Sequence, residues 1–252
     1  MTKKRLDVLL VERGLTESRS MAQRLVMAGE VRVNGQVALK PASKHAPEAQ
    51  IKIEQGPAYV SRGGDKLAGA LSAFQLPIDG LICADVGAST GGFSDCLLQN
   101  GARRIYAIDV GKGILHWKLR KDERVVVMEG ANARYIDRLP EPVDLITIDA
   151  SFISLKILLP AVRKWFSASE NPNEARSPGQ VIALIKPQFE AGRALVKKGA
   201  GVIRDPAVHR AVLTQILTFA GDQGFIPRGL IRSPIKGPKG NIEFLVWMIK
   251  KD

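Results

Sequence analysis

Apolar residues in the first sixty positions recur at helical spacing and then change to alternation. Leu6, Leu9 and Leu10 share one helical face and Gly14 ends that helix, while a second helix is expected over residues 18–28. After it, valines alternate around the tight-turn signal at residues 34–35, which predicts a small β-hairpin. The pattern therefore predicts a small N-terminal α+β domain.

The rest of the chain contains six apolar runs without alternation, separated by helical patterns near residues 91–100, 155–167 and 206–220. The runs are residues 81–86, 105–110, 125–128, 145–149, 181–185 and 242–249. Unalternating runs are typical of strands that are buried on both faces of a parallel sheet. A further strand is expected near residues 225–232. It is joined to the last run by residues 233–241, too short for a crossover helix, so these two strands should pair antiparallel. We expect a Rossmann-like α/β domain with a seven-stranded mixed sheet.

Glycine and proline mark the boundary between these two patterns. We expect a first domain over residues 1–58, an interdomain linker over 59–64 and a second domain over 65–252. One insertion, residues 167–179, has the composition of a flexible segment.

Charge and cysteine content narrow the class of protein. In 252 residues, 37 Lys and Arg stand against 25 Asp and Glu, a formal net charge of +12, which indicates a polyanionic partner such as nucleic acid. Solubility alone, or an anionic membrane surface, would also explain a basic chain. Cys83 and Cys96 fit no zinc or redox spacing, and no signal peptide or membrane span is evident, so we expect a cytoplasmic protein without a metal site.

A glycine-rich turn follows the first strand of the predicted sheet, at residues 85–94. Ligands of open α/β sheets bind beyond the carboxyl ends of the strands, where glycine lets the backbone approach them closely. About twenty residues later Asp109 ends the second strand, where an acid can accept hydrogen bonds from the ribose hydroxyls of an adenosine. The candidate cofactor-binding residues are Asp85, Gly87, Ser89, Thr90, Gly91, Gly92, Phe93, Asp109, Asn132 and Asp149.

Other cofactors compete for this turn. The spacing of Gly87, Gly91 and Gly92 does not give the dinucleotide pattern G-x-G-x-x-G, and no Gly-Lys-Ser/Thr follows for a nucleoside triphosphate. The carboxylate of Asp85 can meet the ammonium group of S-adenosylmethionine, directly or through water. A turn that serves only strand-to-helix packing is the remaining alternative.

Four polar residues should reach one cleft at this edge of the sheet. Asp149 and Lys186 end two strands, Glu243 opens the final strand, and Lys66 lies just before the first helix of the domain. Each one taken alone is more commonly part of a surface ion pair. Their joint position favours a catalytic site.

The N-terminal segment resembles the RNA-binding domain named after ribosomal protein S-four. The resemblance covers roughly residues 3–55 and rests on residues 5–7, 19–25 and 29–35, including the run G-E-V-R-V-N-G. Candidate RNA-binding residues are Arg5, Arg19, Arg24 and Arg32. The alternative is that these arginines form a solvated helix face.

From about residue 59 onward the chain resembles the FtsJ-type ribose 2′-O-methyltransferases, and the order of the two domains resembles the TlyA, or hemolysin A, family. The matching segments are residues 59–67, 85–93, 149–155, 185–190 and 234–243. The resemblance implies a class I methyltransferase fold, S-adenosylmethionine as cofactor and rRNA or ribosomal subunits as partner. It also places the family's catalytic Lys-Asp-Lys-Glu set on Lys66, Asp149, Lys186 and Glu243. Many such enzymes have an acid near the adenine, where this chain has Asn132.

The chemistry explains why such residues are needed. A ribose 2′-hydroxyl is a poor nucleophile, whereas a sulfonium is an excellent methyl donor, so the enzyme must orient the hydroxyl and remove its proton. We expect Lys186 to act as base or hydroxyl orienter, with Lys66 and Glu243 aligning the target ribose. A non-catalytic RNA-binding or ribosome-assembly factor and a membrane-active hemolysin are the alternative functions. The sequence does not specify an oligomeric state.

Overall fold

The computed structural model describes residues 2–54, 56–166, 178–237 and 239–251. The chain divides into two compact units, Met1–Ala58 and Tyr59–Asp252. Most of the insertion noted in the sequence, residues 167–177, lies outside the described residues.

The first unit combines two helices with two small antiparallel sheets. Its elements are β1 (Lys4–Arg5), α1 (Leu6–Glu12), α2 (Arg19–Met27), β2 (Val31–Val33), β3 (Gln36–Val37), β4 (Lys44–His45) and β5 (Ile51–Ile53). The strands pair in the order β3-β2-β5, with β1 paired to β4. Asn34 and Gly35 both have positive φ, as the tight hairpin turn requires. The predicted helices and hairpin are confirmed, and Leu6, Leu10 and Val26 are fully buried between them.

The second unit is built on a seven-stranded sheet. Its strands are β6 (Ile82–Val86), β7 (Arg104–Asp109), β8 (Val125–Glu129), β9 (Leu145–Ile148), β10 (Gln180–Ile185), β11 (Phe225–Arg232) and β12 (Phe244–Lys250). They lie in the order β11-β12-β10-β9-β6-β7-β8. β12 runs antiparallel to both neighbours, and the remaining pairs are parallel. The predicted seven-stranded mixed sheet is confirmed.

Helices cover both faces of this sheet. They are α3 (Gly63–Phe74), α4 (Gly92–Gln99), α5 (Trp117–Arg120), α6 (Leu155–Val162), α7 (Pro187–Glu190), α8 (Arg193–Lys198) and α9 (Pro206–Asp222). One apolar core joins α6 and α9 to one face, and a second joins α3, α4 and α5 to the other. Burial on both sides explains why the central strands β6, β9 and β10 carry apolar runs instead of alternation.

The start of the second unit differs from the sequence prediction. Residues 59–64 belong to the compact second unit instead of forming a linker, and Gly63 already begins α3. A Cβ on Gly64 would lie 2.2 Å from Cγ of Tyr59, so this glycine permits close packing and not only flexibility. Lys66 consequently lies inside α3, not before it, and Glu243 directly precedes β12.

Among the described residues, no helix combines the length and the hydropathy that a membrane span requires. The apolar terminal run forms β12, where Leu245, Val246 and Met248 are buried in the sheet.

Candidate active site

One edge of the large sheet collects four charged side chains from distant parts of the sequence. Asp149 follows the carboxyl end of β9, and Lys186 follows the carboxyl end of β10. Glu243 reaches the same edge because β12 is antiparallel, with Phe244 paired to Ile185. Lys66 arrives from the first turn of α3. We refer to these four residues as the Lys-Asp-Lys-Glu cluster.

Direct contacts join the four members of the cluster. Nζ of Lys66 lies 2.8 Å from Oε2 of Glu243 and 3.5 Å from Oδ2 of Asp149. Nζ of Lys186 lies 2.6 Å from the other oxygen, Oδ1, of Asp149. The Glu243 side chain is 1% exposed, and the two lysine side chains are 10% and 8% exposed. Two ammonium groups and two carboxylates therefore form one shielded chain of ion pairs.

Two uncharged neighbours complete these contacts. Nζ of Lys186 donates to Oγ of Ser151 at 2.9 Å, and Nε2 of Gln188 donates to Oε1 of Glu243 at 3.0 Å. Neither residue was predicted from the sequence to belong to the site. Both lie within two residues of a cluster member, in the D-A-S and K-P-Q segments, and this proximity was the available signal.

A cavity of about 670 Å³ opens beside the cluster. Its walls include all four cluster members and part of the glycine-rich turn. The predicted cofactor residues that line it are Gly87, Ser89, Thr90, Gly92, Phe93 and Asp149. Asp85, Gly91, Asp109 and Asn132 do not line this cavity.

Glycine is required at two positions of the turn because the backbone is tightly enclosed there. Gly87 has φ +83°, and a Cβ on it would lie 2.8 Å from the carbonyl oxygen of Asp149. A Cβ on Gly92 would lie 2.3 Å from Oγ of Ser61. The turn thus lies directly against the segments that carry the cluster and the start of α3.

Asp85 supports the turn from beneath. Its side chain is fully buried and accepts hydrogen bonds from the hydroxyls of Ser94, at 2.7 Å, and Thr147, at 3.0 Å. Burial raises the pKa of this carboxyl to about 6, against the opposing effect of the two hydroxyl donors. The expected direct contact with a ligand ammonium is not available to a carboxylate enclosed in this way.

The acid at the end of β7 fixes the neighbouring loops. Oδ2 of Asp109 accepts the backbone N–H of Ser89 and Oδ1 accepts that of Gly111. It therefore organises the glycine-rich turn from the side of the second strand.

Glu129, which the sequence analysis missed, has a similar role at the end of β8. It accepts the backbone N–H groups of residues 113–115, and the guanidinium of Arg120 together with these donors lowers the pKa of its carboxyl to about 2. Asn132 caps a short 3-10 turn by accepting the backbone N–H of Arg134. Its carbonyl oxygen thus already has a partner within the chain.

In the first unit, two of the four candidate arginines meet at a buried acid. Arg5 and Arg19 both pair with Asp7, at 2.9 and 3.0 Å, and the Asp7 side chain is 0% exposed. Arg32 instead pairs with Glu54 at 2.7 Å, and Arg24 is exposed. The structure thus brings Arg5 and Arg19 together at Asp7, whereas Arg24 and Arg32 lie apart from this pair.

Comparison with known proteins gives matches for both units. Residues 59–250 match the FtsJ-like methyltransferase family, and residues 4–51 match the S4 domain. The chain is 41% identical over 248 residues to the 16S/23S rRNA (cytidine-2′-O)-methyltransferase TlyA of Mycobacterium tuberculosis, covering 97% of this chain and 89% of the relative. It is 42% identical over 251 residues to hemolysin A of Brachyspira hyodysenteriae, covering 97% and 99%.

A solved structure shows the same similarity in three dimensions. A protein from Streptococcus thermophilus, provisionally described as a hemolysin, superimposes with a TM-score of 0.72 at 45% sequence identity. The match covers 100% of this chain and 90% of that chain.

Proposed function

Because the chain belongs to the TlyA, or hemolysin A, family of FtsJ-like methyltransferases, we propose that it methylates ribose 2′-hydroxyls of ribosomal RNA, using S-adenosylmethionine. The Lys-Asp-Lys-Glu cluster beside the glycine-rich turn is the observation that carries this proposal. The name of the mycobacterial relative, a cytidine-2′-O-methyltransferase of 16S and 23S rRNA, supports the ribose as the acceptor. Ribosomes are assembled in the cytoplasm, where we place the protein.

The cavity suits S-adenosylmethionine in size. Its volume of about 670 Å³ lies in the range of small-molecule sites. Gly87 and Gly92 let the turn pack directly against Asp149 and Ser61, and Ser89 between them is held by Asp109. When bound, S-adenosylmethionine supplies a methyl carbon made electrophilic by its sulfonium. We assign the turn from Gly87 to Phe93 to holding the cofactor, with Asp109, which does not line the cavity, acting through this turn.

The cluster divides into a base and an alignment pair. We assign Lys186, once its ammonium has released a proton to water, to take the proton of the 2′-hydroxyl as that oxygen would attack the methyl carbon of bound S-adenosylmethionine, whose sulfonium would leave as a neutral thioether. Asp149, 2.6 Å away, stabilises the ammonium that results. Lys66 and Glu243 supply one donor and one acceptor side by side, an arrangement that can position neighbouring hydroxyls of one ribose.

The first unit would hold the RNA. Arg5, Arg19, Arg24 and Arg32 place positive charge on a domain of the S4 type, and guanidinium groups bind phosphate with good geometry. On this view residues 1–58 select the substrate and residues 65–252 perform the transfer, with residues 59–64 contributing the start of α3.

The decisive experiment uses labelled S-adenosylmethionine and ribosomal subunits with the wild type and Lys186→Met, which keeps the volume of the side chain. We expect transfer to fall at least about 100-fold, the size of a typical general-base contribution. Cofactor binding by calorimetry should be unchanged. The label should lie in alkali-resistant dinucleotides, because a methylated 2′-oxygen cannot attack the adjacent phosphate. Lys251→Met, at the opposite end of β12, is the control.

Other outcomes identify the alternatives. Equal transfer by Lys186→Met would remove this residue from the mechanism, and label in a base would exclude the ribose assignment. Binding of ribosomal subunits without any transfer by the wild type would indicate a non-catalytic assembly factor.

A further inference from the structure

Three cationic side chains that are exposed to solvent also line the active-site cavity. Arg62 precedes α3, and Lys236 and Lys239 lie on the loop between β11 and β12. All three are exposed, and within the described residues none forms an ion pair or a side-chain hydrogen bond. We call these three residues the cationic rim. The other two cations that line the cavity, Lys66 and Lys186, already have carboxylate partners.

The rim leaves the cavity with unbalanced charge. Five positive and two negative side chains line it, and the two negative ones are fully engaged by Lys66 and Lys186. The positive charge without a partner in the cavity is therefore that of the three cationic-rim residues. S-adenosylmethionine carries one net positive charge at neutral pH, from a sulfonium, an ammonium and one carboxylate. A positive surplus repels such a donor overall, so the rim is better matched to an anionic second ligand.

The loop that carries two of these cations is held in place at several points. Ser233 donates its backbone N–H to the carbonyl of Glu243 and its hydroxyl to that of Ile235. The buried Asn241 bonds through its amide to the carbonyl of Gly201 and to the N–H of Ile203. The backbone N–H of Gly237 donates to the carbonyl of Asn241.

These bonds hold Ser233, Gly237 and Asn241, on either side of the two lysines, next to Glu243. Part of the loop is therefore ordered before a ligand binds, which lowers the entropic cost of binding. Several cations at one cavity match the negative charges that recur along the backbone of an extended strand.

We propose that the cationic rim binds the phosphates on either side of the target ribose, so that the acceptor is a nucleotide inside a strand and not a free nucleoside or a strand end. This inference rests on the proposed ribose methylation and adds how the acceptor is held. The cluster positions the hydroxyl, and the rim positions the backbone that carries it.

The test removes two rim charges with Lys236→Ala/Lys239→Ala in the full-length protein. Methyl transfer to ribosomal subunits is measured between about 50 and 200 mM salt. Each lost phosphate contact should reduce the slope of log(kcat/KM) against log salt by about 0.7, so the double variant should lose about 1.4. KM should rise while kcat stays near that of the wild type. The variant Lys236→Arg/Lys239→Arg should recover most of the affinity.

The control removes two positive charges at the opposite edge of the sheet with Arg103→Ala/Lys251→Ala. Arg103 precedes β7 and Lys251 follows β12, so both lie far along the strands from the cluster. A control that changes the salt slope as much as the rim variant would overturn the proposal, because the effect would then be one of net charge. An unchanged salt slope in Lys236→Ala/Lys239→Ala would also overturn the proposal.

Binding measurements separate this inference from the proposed function. A rim variant that loses affinity for S-adenosylmethionine in calorimetry would show that the lysines bind the carboxylate of the donor, which overturns the inference. Anisotropy with a labelled single-stranded oligoribonucleotide reports the rim contacts without turnover. If the wild type transfers no methyl group but its oligonucleotide affinity still depends on Lys236 and Lys239, ribose methylation fails while the phosphate contacts stand.

Discussion

Lys66 and Glu243, 177 positions apart in the sequence, form a 2.8 Å ion pair in which the carboxylate is 1% exposed. Removing one charge from such a pair leaves the other without compensation in a place that water does not reach. Replacing both residues by apolar ones removes the free-energy cost of burying the charges together with the attraction between them. Stability and activity should therefore respond differently to single and double substitutions here.

We expect Lys66→Met to lower the free energy of unfolding by about 3 kcal/mol, since Glu243 remains buried and charged. The double variant Lys66→Met/Glu243→Leu should return to within about 1 kcal/mol of the wild type. Methyl transfer should be lost in both. Urea denaturation gives the stabilities, and a double variant as unstable as the single one would show that the pair itself stabilises the fold.

Asp85 predicts a pH dependence of stability. Its pKa is raised to about 6 in the folded protein from an ordinary 3.8, so folding favours the protonated acid. The resulting stabilisation is complete below the ordinary pKa and is lost as the pH rises through about 6. Relative to an unperturbed aspartate, the loss is of the order of 3 kcal/mol.

The variant Asp85→Asn should lack this dependence while keeping hydrogen-bond partners for Ser94 and Thr147. As the pH rises from 4 to 7, the free energy of unfolding of the wild type should therefore fall relative to that of Asp85→Asn. A constant difference between the two proteins over this range would contradict the raised pKa.

The sequence was most informative where a pattern repeats over many residues. The apolar runs of β6, β9 and β10 predict buried strands, and the nine residues from 233 to 241 are too few for a crossover helix, so the antiparallel β12 could be predicted. Strands of two residues, such as β1 and β4, are too short to show any period, and they were missed.

Interactions between distant segments were harder to predict. The residues after β9 and β10 could be placed at the ligand edge by topology alone, and the structure brings Asp149 and Lys186 together there. The enclosure of Asp85 depends on Ser94 from α4 and Thr147 from β9, neither of which the sequence relates to it. Even a contact over five residues was missed: Gly64 was taken for a linker residue because its close packing against Tyr59 is not evident from composition.

Asp7 offers a test of the candidate RNA-binding surface in the first unit. Arg5 and Arg19 converge on this buried carboxylate, and the hydrogen bond from Arg5 above all holds the pKa of Asp7 far below its ordinary range. Asp7→Asn should lower the free energy of unfolding by about 2 kcal/mol, as for other hydrogen bonds to a charged group. It should also weaken binding of ribosomal subunits, because both guanidinium groups lose the partner that orients them.

The matched control for Asp7 is Glu12→Gln in the same unit. Glu12 pairs with Lys4 at 2.8 Å, but both side chains are nearly half exposed, so the change should cost at most about 1 kcal/mol. The lowered pKa of Asp7 stabilises the folded protein at pH values above the ordinary pKa of an aspartate. In the wild type this stabilisation should disappear as the pH falls through the pKa that Asp7 has in the folded protein. Asp7→Asn should show no such loss. Equal effects of the two substitutions on binding would show that Asp7 does not position the arginines.

Gly237 is a position where a very small substitution should lower catalysis. A Cβ there would lie 2.5 Å from Oε1 of Glu243, and its backbone φ is not in the left-handed region, so alanine is excluded by contact and not by backbone strain. Because Glu243 is buried and bonded to Lys66 and Gln188, it can move away only by breaking those bonds. We expect Gly237→Ala to lower kcat at least about 10-fold, the effect of about 1.4 kcal/mol at the transition state.

The comparison for Gly237→Ala is Gly221→Ala near the end of α9, where an added Cβ meets nothing within 4 Å. That variant should keep full activity and should be at least as stable as the wild type, since alanine favours the helix more than glycine does. Cofactor affinity, measured by calorimetry, should change little in Gly237→Ala because Glu243 is assigned to the acceptor ribose. A fall in kcat with unchanged cofactor binding would support that assignment, whereas full activity in Gly237→Ala would mean that the position of the Glu243 carboxylate is not critical for methyl transfer.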